Sequence, residues 1–212
     1  MKNYRSLSLI LLLVITSIRS SAQFSANTVE LSGGYGILSA TQILQRVSHD
    51  TYRNDNNADN GVEFVSVKYF VSKRLALGLN VSYQTESGKF VDYYYTSPYN
   101  YYFYDVSWLT ISPEFLYLYV NQKNFACYTY IGIGYVVTKE KDTDGRGFAS
   151  NKPNVGVNGQ ICPIGFRFGE KVAFFAELGF GYKGVVNAGL SIKFSKKATA
   201  QQTDLPKANH DD

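Results

Sequence analysis

One β-hairpin phrase occurs three times in this chain, and it constrains the fold more than any other feature. The copies read YFVSKRLALGLNVSY (Tyr69 to Tyr83), YVNQKNFACYTYIGIGY (Tyr119 to Tyr135) and FRFGEKVAFFAELGFGY (Phe166 to Tyr182). Each is an apolar strand, a short polar turn and a returning strand that ends in spaced aromatics, repeating about every fifty residues. Hairpins with tight turns on one side and long loops on the other build an up-and-down barrel. The 18 Tyr, 14 Phe and 18 Gly, beside one Met and one Trp, suit strands and turns rather than helices.

The first 22 residues have the form of a secretory signal. Lys2 and Arg5 make the charged start, Leu7 to Ile15 the apolar stretch, and Ser20-Ser21-Ala22 a small-residue cleavage site. Nine residues are too few for a helical span, which needs about 20. Cleavage removes 22 of 212 residues and leaves 190, beginning at Gln23. It also removes Lys2, Arg5 and Arg19 and no acid, so the formal charge falls from +4 to +1. The basic character therefore belongs largely to the discarded peptide, and nucleic acid is not an expected partner. No later stretch has 18 uninterrupted apolar residues, which excludes a helical span but not a barrel, where only alternate residues face lipid.

Period-two alternation gives eight candidate strands in one domain. The first, Thr28 to Leu38, sets Val29, Leu31, Tyr35 and Ile37 against Glu30 and Ser32. The second, Val62 to Val71, sets Val65, Val67, Tyr69 and Val71 against Ser66 and Lys68. The third starts at Leu75, with Leu77, Leu79, Val81 and Tyr83 on one face and Gly78, Asn80, Ser82 and Gln84 on the other. The fourth, Tyr104 to Val120, places Leu109, Ile111, Phe115, Tyr117 and Tyr119 opposite Thr110, Ser112 and Glu114. The fifth, Ala126 to Val137, has Ile131, Ile133 and Tyr135 against Gly132 and Gly134.

The sixth strand, Val155 to Phe168, changes phase between Val157 and Ile164, and a bulge near Gly159 to Pro163 repairs it. The seventh alternates Val172, Phe174, Ala176, Leu178, Phe180 and Tyr182 with Phe175 and Glu177. The eighth alternates Ala188, Leu190, Ile192 and Phe194 with Asn187, Ser191 and Lys193. Short turns at Ser72 to Arg74, Asn121 to Phe125 and Gly169 to Lys171 then face loops at Ser39 to Gly61, Glu86 to Phe103, Thr138 to Asn154 and Lys183 to Val185. Short turns on the periplasmic side and longer loops outside are the outer-membrane pattern, and lipid makes closure compulsory.

On these residues the chain from Thr28 to Phe194 resembles the small eight-stranded outer-membrane barrels, the OmpX and OmpA transmembrane-domain group and the PorT-like barrels. The phrase YFVSKRLALGL, the strand ISPEFLYLY and the last strand NAGLSIKF carry the resemblance. It implies an all-β, eight-stranded antiparallel up-and-down transmembrane β-barrel in the outer membrane, with both mature termini in the periplasm and outer-membrane lipid around it. It also implies a role for Phe194 in the signal read by the barrel-assembly machinery, although the chain continues 18 residues beyond it.

The alternation puts Glu30, Lys68, Glu114, Glu177 and Lys193 inside, with Arg167 joining them if strand six keeps its later phase. A structural charge network that plugs the lumen is expected; an ion path is the alternative, although eight strands leave room for little beyond side chains. Tyrosines dominate the second loop, where Tyr93, Tyr94, Tyr95, Tyr99, Tyr101 and Tyr102 form a candidate binding surface for a glycan or protein. The competing reading is a strand pair projecting beyond the membrane, with Tyr104 and Trp108 in the aromatic girdle.

Chemistry is poorly supported by the remaining motifs. His49-Asp50 with Ser48 can be drawn as part of a hydrolase site, but no GxSxG or HExxH spacing accompanies it, and His210 lies in the polar tail. Asp55, Asp59 and the run Lys141-Asp142-Thr143-Asp144-Gly145 lack the later ligands of a calcium loop, so a solvated turn is expected. Cys127 and Cys162 fall on neighbouring strands about three residues out of register, roughly 10 Å apart at strand rise; a shift at the bulge would be needed to bridge them. Ile43, Leu44 and Val47 share a helical face in the first loop, and the segment from Ser195 to Asp212 reads as a flexible polar tail.

No cofactor, metal or catalytic group is expected. The leading function is a non-enzymatic barrel with a structural or surface-interaction role through its external loops. An accessory barrel of a protein secretion system is the second, and a lipid-modifying or proteolytic barrel enzyme the third. A soluble ligand-carrying barrel is the alternative fold, and it would leave the apolar stripe facing water.

Overall fold

The protein is described by a computed structural model over residues 23–40, 43, 58–92, 100–143 and 149–195. The expected signal segment, most of the first loop and the tail after Ser195 lie outside these residues. Eight strands follow one another: β1 (Thr28–Ile37), β2 (Ala58–Phe70), β3 (Leu75–Asp92), β4 (Asn100–Gln122), β5 (Phe125–Thr143), β6 (Ala149–Gly169), β7 (Val172–Gly181) and β8 (Val186–Ser195). Each pairs antiparallel with its neighbours in sequence, and β8 closes on β1 from Thr28↔Ser195 to Ile37↔Val186. No edge remains where these strands meet, as lipid requires.

The three short turns form where the alternation stops. In the β2–β3 turn the Ser72 hydroxyl accepts from the Arg74 and Leu75 amides at 3.2 and 3.1 Å, a local bond that competes with further ladder pairing. Only Lys123 and Asn124 separate the Gln122↔Phe125 pair of β4 and β5. Gly169, with φ 126°, opens the β6–β7 turn, a conformation that disfavours any residue with a Cβ.

Alternation sorts the wall into two faces. Leu79, Val81, Ile111, Phe115, Ile133 and Leu190 point outward and are exposed, with Ile133 at 69% and Val157 at 76%. Ser66, Lys68, Asn80, Ser82, Thr110, Ser112 and Glu177 point inward and are buried. This is the inverse of a water-soluble barrel, and only a lipid surround makes it stable, because such a continuous apolar exterior in water would drive association. Aromatics mark both ends of the apolar belt. Phe125, Phe166 and Phe168 cluster outside near the short turns, with the Phe125 and Phe168 rings 5.3 Å apart, while Tyr35, Tyr83 and Tyr135 stand towards the loop side.

The expected bulge in β6 is present. Its register against β7 shifts between Ile161 and Ile164, so Val155, Val157 and Ile161 point outward on one phase and Phe168 on the other, with Arg167 inside. Strands β3 to β6 run well beyond the expected limits. Residues 86–92 and 100–103, expected as loop, pair from Glu86↔Val106 to Asp92↔Asn100. Residues 138–143 and 149–154, also expected as loop, pair from Thr138↔Asn154 to Thr143↔Ala149. The sequence of these extensions carries no strict apolar alternation for periodicity to detect.

Three further expectations are corrected. Trp108 is not in the girdle: it lies on the inner phase of β4, 8% exposed. Tyr182 does not continue the outward face of β7, because Gly181 adopts φ 146° and reverses the alternation, so Tyr182 turns into the lumen. The run through Lys141, Asp142 and Thr143 is the end of β5 rather than a turn.

Candidate functional site: a filled lumen under a projecting wall

From the short-turn end upward, the lumen is first closed by the chain entering β1. Phe24 is buried and stacks on Phe70 with ring centroids 4.0 Å apart, above an apolar layer of Ala76, Leu116, Leu118 and Ala126. Asn121 fixes the segment from both sides, accepting from the Phe24 amide and donating to the Phe24 carbonyl, each at 2.9 Å. Asn27 adopts φ 65°, a conformation Asn tolerates better than most residues, and its amide bonds the Phe70 carbonyl at 2.9 Å as the chain swings into β1.

Above this layer sit the ionised groups. Glu30 on β1 meets Arg167 on β6 at 2.8 Å and Lys68 on β2 at 3.5 Å. The Arg167 fork also donates to Ser191 Oγ and to the Gly169 carbonyl, both at 2.9 Å. Glu177 on β7 accepts from the Tyr128 hydroxyl at 2.7 Å and the Tyr130 hydroxyl at 2.9 Å. Glu114 on β4 meets Lys183 at 2.6 Å and accepts from the Tyr182 hydroxyl at 2.9 Å. Lys183 also lies over the Tyr130 and Phe64 rings, 4.6 and 4.9 Å from their centroids. Each of these three carboxylates thus has at least two partners, which is what makes burial of charge tolerable in a low-dielectric interior.

Of the six charges expected inside, Glu30, Lys68, Glu114, Arg167 and Glu177 are buried there. Lys193 is half-buried at the short-turn end, where its ammonium donates to the Gln23 carbonyl at 2.7 Å. Sequence reasoning missed Tyr128, Tyr130, Tyr182 and Lys183. Stepping the inward phase of Gly134 and Gly132 back to Tyr130 and Tyr128 would have found the first two. Lys183, expected in a loop, is 0% exposed because the β7–β8 connection folds into the barrel, with the Val185 amide bonded to the Ile37 carbonyl at 2.9 Å. Glycines make room for these rings: a Cβ at Gly132 would collide with the Tyr182 hydroxyl, and one at Gly165 with the Tyr128 ring.

Over this filled lumen, β3 to β6 rise as a four-stranded sheet. Its outer face forms a groove of about 920 Å³ lined by Tyr83, Ser107, Leu109, Val137, Lys139 and Lys141 among others. Tyr101 and Tyr102 lie on β4 opposite Val91 and Phe90, while Tyr93, Tyr94, Tyr95 and Tyr99 fall outside the described residues. Ser48, His49, Asp50, Asp55 and His210 also fall outside them. Among the described residues no three His, Cys, Asp or Glu side chains form a metal site. Cys127 and Cys162 are free: Cys127 stands opposite Phe166, Cys162 opposite Tyr130, and Cys162 alone is fully buried on the inner side. Phe194 is exposed on the outer face of β8, opposite Val29.

No family model and no curated protein matches the chain. Among solved structures, the N-terminal β-barrel domain of Pseudomonas aeruginosa OprF is 12% identical with a TM-score of 0.49, covering 81% of this chain and 100% of that one. Yersinia pestis Ail, solved with the heparin analogue sucrose octasulfate, is 13% identical with a TM-score of 0.43 over 80% of this chain and 99% of that one. Neisserial surface protein A is 12% identical with a TM-score of 0.37 over 80% of this chain and 96% of that one. The closed meander, its polar filled interior and its apolar outer wall give the chain the fold of an eight-stranded antiparallel up-and-down transmembrane β-barrel.

Proposed function

We propose that this is a non-conducting, non-enzymatic barrel of the outer membrane that works through its projecting wall. The observation that carries the reading is the contrast between a lumen filled by Glu30, Arg167, Glu114, Lys183 and Glu177 with their partners and a four-stranded sheet that rises past the apolar belt. An eight-stranded interior is about wide enough for its own side chains, so in this reading the surface that meets a partner is outside. The wall carries tyrosines and lysines at its upper end, a composition that suits a glycan or protein ligand. In this reading the first 22 residues are removed on export, both mature termini lie in the periplasm, and Phe194 serves recognition by the assembly machinery.

The test pairs a glycan array, probed with the detergent-solubilised protein, with the same probe after Tyr93, Tyr94 and Tyr95 are replaced by Ser. Binding by the native chain that the triple variant loses, with the barrel intact, supports the reading. Equal binding by both moves the ligand away from the tyrosine loop, and stable single-channel conductance in a planar bilayer would overturn the closed lumen.

A further inference from the structure

We propose that Gln23 is a modification site: after export its α-amino nitrogen closes on its own side-chain carboxamide, and the resulting uncharged pyroglutamyl group is what seats in the mouth of the barrel. The proposal rests on signal removal after Ala22, as put forward above, and deepens it. Gln23 is buried in the full-length chain, and its carbonyl and carboxamide bond Lys193 and the Gly169 carbonyl, so cleavage before it leaves the new N-terminus at the short-turn end. The neighbours are cationic. Lys193 donates to the Gln23 carbonyl at 2.7 Å, and the Gln23 amide nitrogen and Arg167 Nη1 both donate to the Gly169 carbonyl, the latter at 2.9 Å. Among the described residues the buried acid of this region, Glu30, is engaged by Arg167 and Lys68, and Glu170 stands exposed at the rim with Lys123 at 3.8 Å.

A free α-ammonium would therefore add a third cation to a site whose buried carboxylate among the described residues, Glu30, is already paired with Arg167 and Lys68, an arrangement that desolvation opposes. Glutamine is a residue that can discard this charge by itself. The α-nitrogen attacks Cδ, the Cδ–Nε2 bond breaks, and the nitrogen leaves as ammonia with the proton the amine gives up. Nothing is oxidised or reduced. The Gly169 carbonyl, losing the Gln23 donor, keeps Arg167, and the Gln23 carbonyl remains available to Lys193. Phe24 stays fixed by Asn121 and Phe70, so the ring enters a frame that is already built.

The experiment is an intact-mass and N-terminal peptide measurement on protein extracted folded from membranes, beside thermal loss of compact gel migration for wild type and Gln23→Ala. Expected is a chain of residues 23–212 lighter by roughly 17 Da, one ammonia, and a lower unfolding temperature for Gln23→Ala, which keeps its charged amine. A chain of residues 23–212 with a free amine overturns the modification while leaving cleavage intact. An N-terminus elsewhere overturns the cleavage reading beneath it, and a blocked Gln23 with an equally stable Gln23→Ala variant overturns the seating role.

Discussion

The two sides of this barrel are built to different heights. Strands β1, β7 and β8 have ten residues each, whereas β3, β4, β5 and β6 have 18, 23, 19 and 21. A tilted strand crosses a bilayer in about 9–11 residues, so the low side is only as long as the membrane demands and the high side about twice that. The surplus spans nothing. It forms a sheet held in ladder pairing, above a belt whose faces are set by lipid on one side and buried ion pairs on the other. Stability should therefore concentrate in the belt, and freedom to vary in the high wall.

The largest effect is expected inside the belt. Arg167→Leu strips Glu30 of its 2.8 Å partner and leaves a buried carboxylate with only Lys68 at 3.5 Å. Removing one member of such a pair costs about 3–5 kcal/mol, to be read as a lower denaturant midpoint for loss of the folded gel band. A loss within error of zero would mean that the lumen admits water freely. Next is Leu79→Arg, which places a cation on the lipid face between Val67 and Pro113. About 2–4 kcal/mol is expected near the bilayer midplane, measured by reversible unfolding in liposomes, and a neutral result would place this face in water.

Gly132→Ala should cost about 1–3 kcal/mol by overpacking against the Tyr182 hydroxyl. Tyr182→Phe in the same chain removes the colliding oxygen and should recover part of that loss, so a purely additive double mutant would disprove the contact. The smallest effect belongs to the high wall. Ser107→Arg, on its outer face opposite Lys139, should stay within about 0.5 kcal/mol. A penalty as large as that of Leu79→Arg would put the extension inside the bilayer and erase the contrast between the two heights.

The belt was legible in sequence because each of its strands answers to two solvents at once. Leu77, Leu79 and Val81 alternate with Gly78 and Asn80, and even the awkward sixth strand yielded its bulge and the inward place of Arg167. The high wall was not legible, since its sequence does not alternate apolar with polar residues. Its register is set by pairing with β4 from Glu86↔Val106 to Asp92↔Asn100. Tyr182 and Lys183 were hidden for another reason: the reversal depends on the φ of Gly181, a single torsion with no periodic signature. Trp108 was misplaced because an aromatic near the end of a spanning strand fits a girdle, while its phase in β4 in fact points it inward. Apart from Lys183, the charged residues were legible as an inventory of inward positions but not as partners, because register across eight strands decides that Arg167 meets Glu30.

The most direct test of a closed, lipid-embedded barrel is the gel mobility of the membrane-fraction protein in SDS, with and without boiling. A closed barrel held by the β1–β8 ladder and its filled lumen should migrate faster unboiled and shift to full apparent mass on heating. Identical mobility in both samples, together with recovery in the soluble periplasmic fraction, would contradict it.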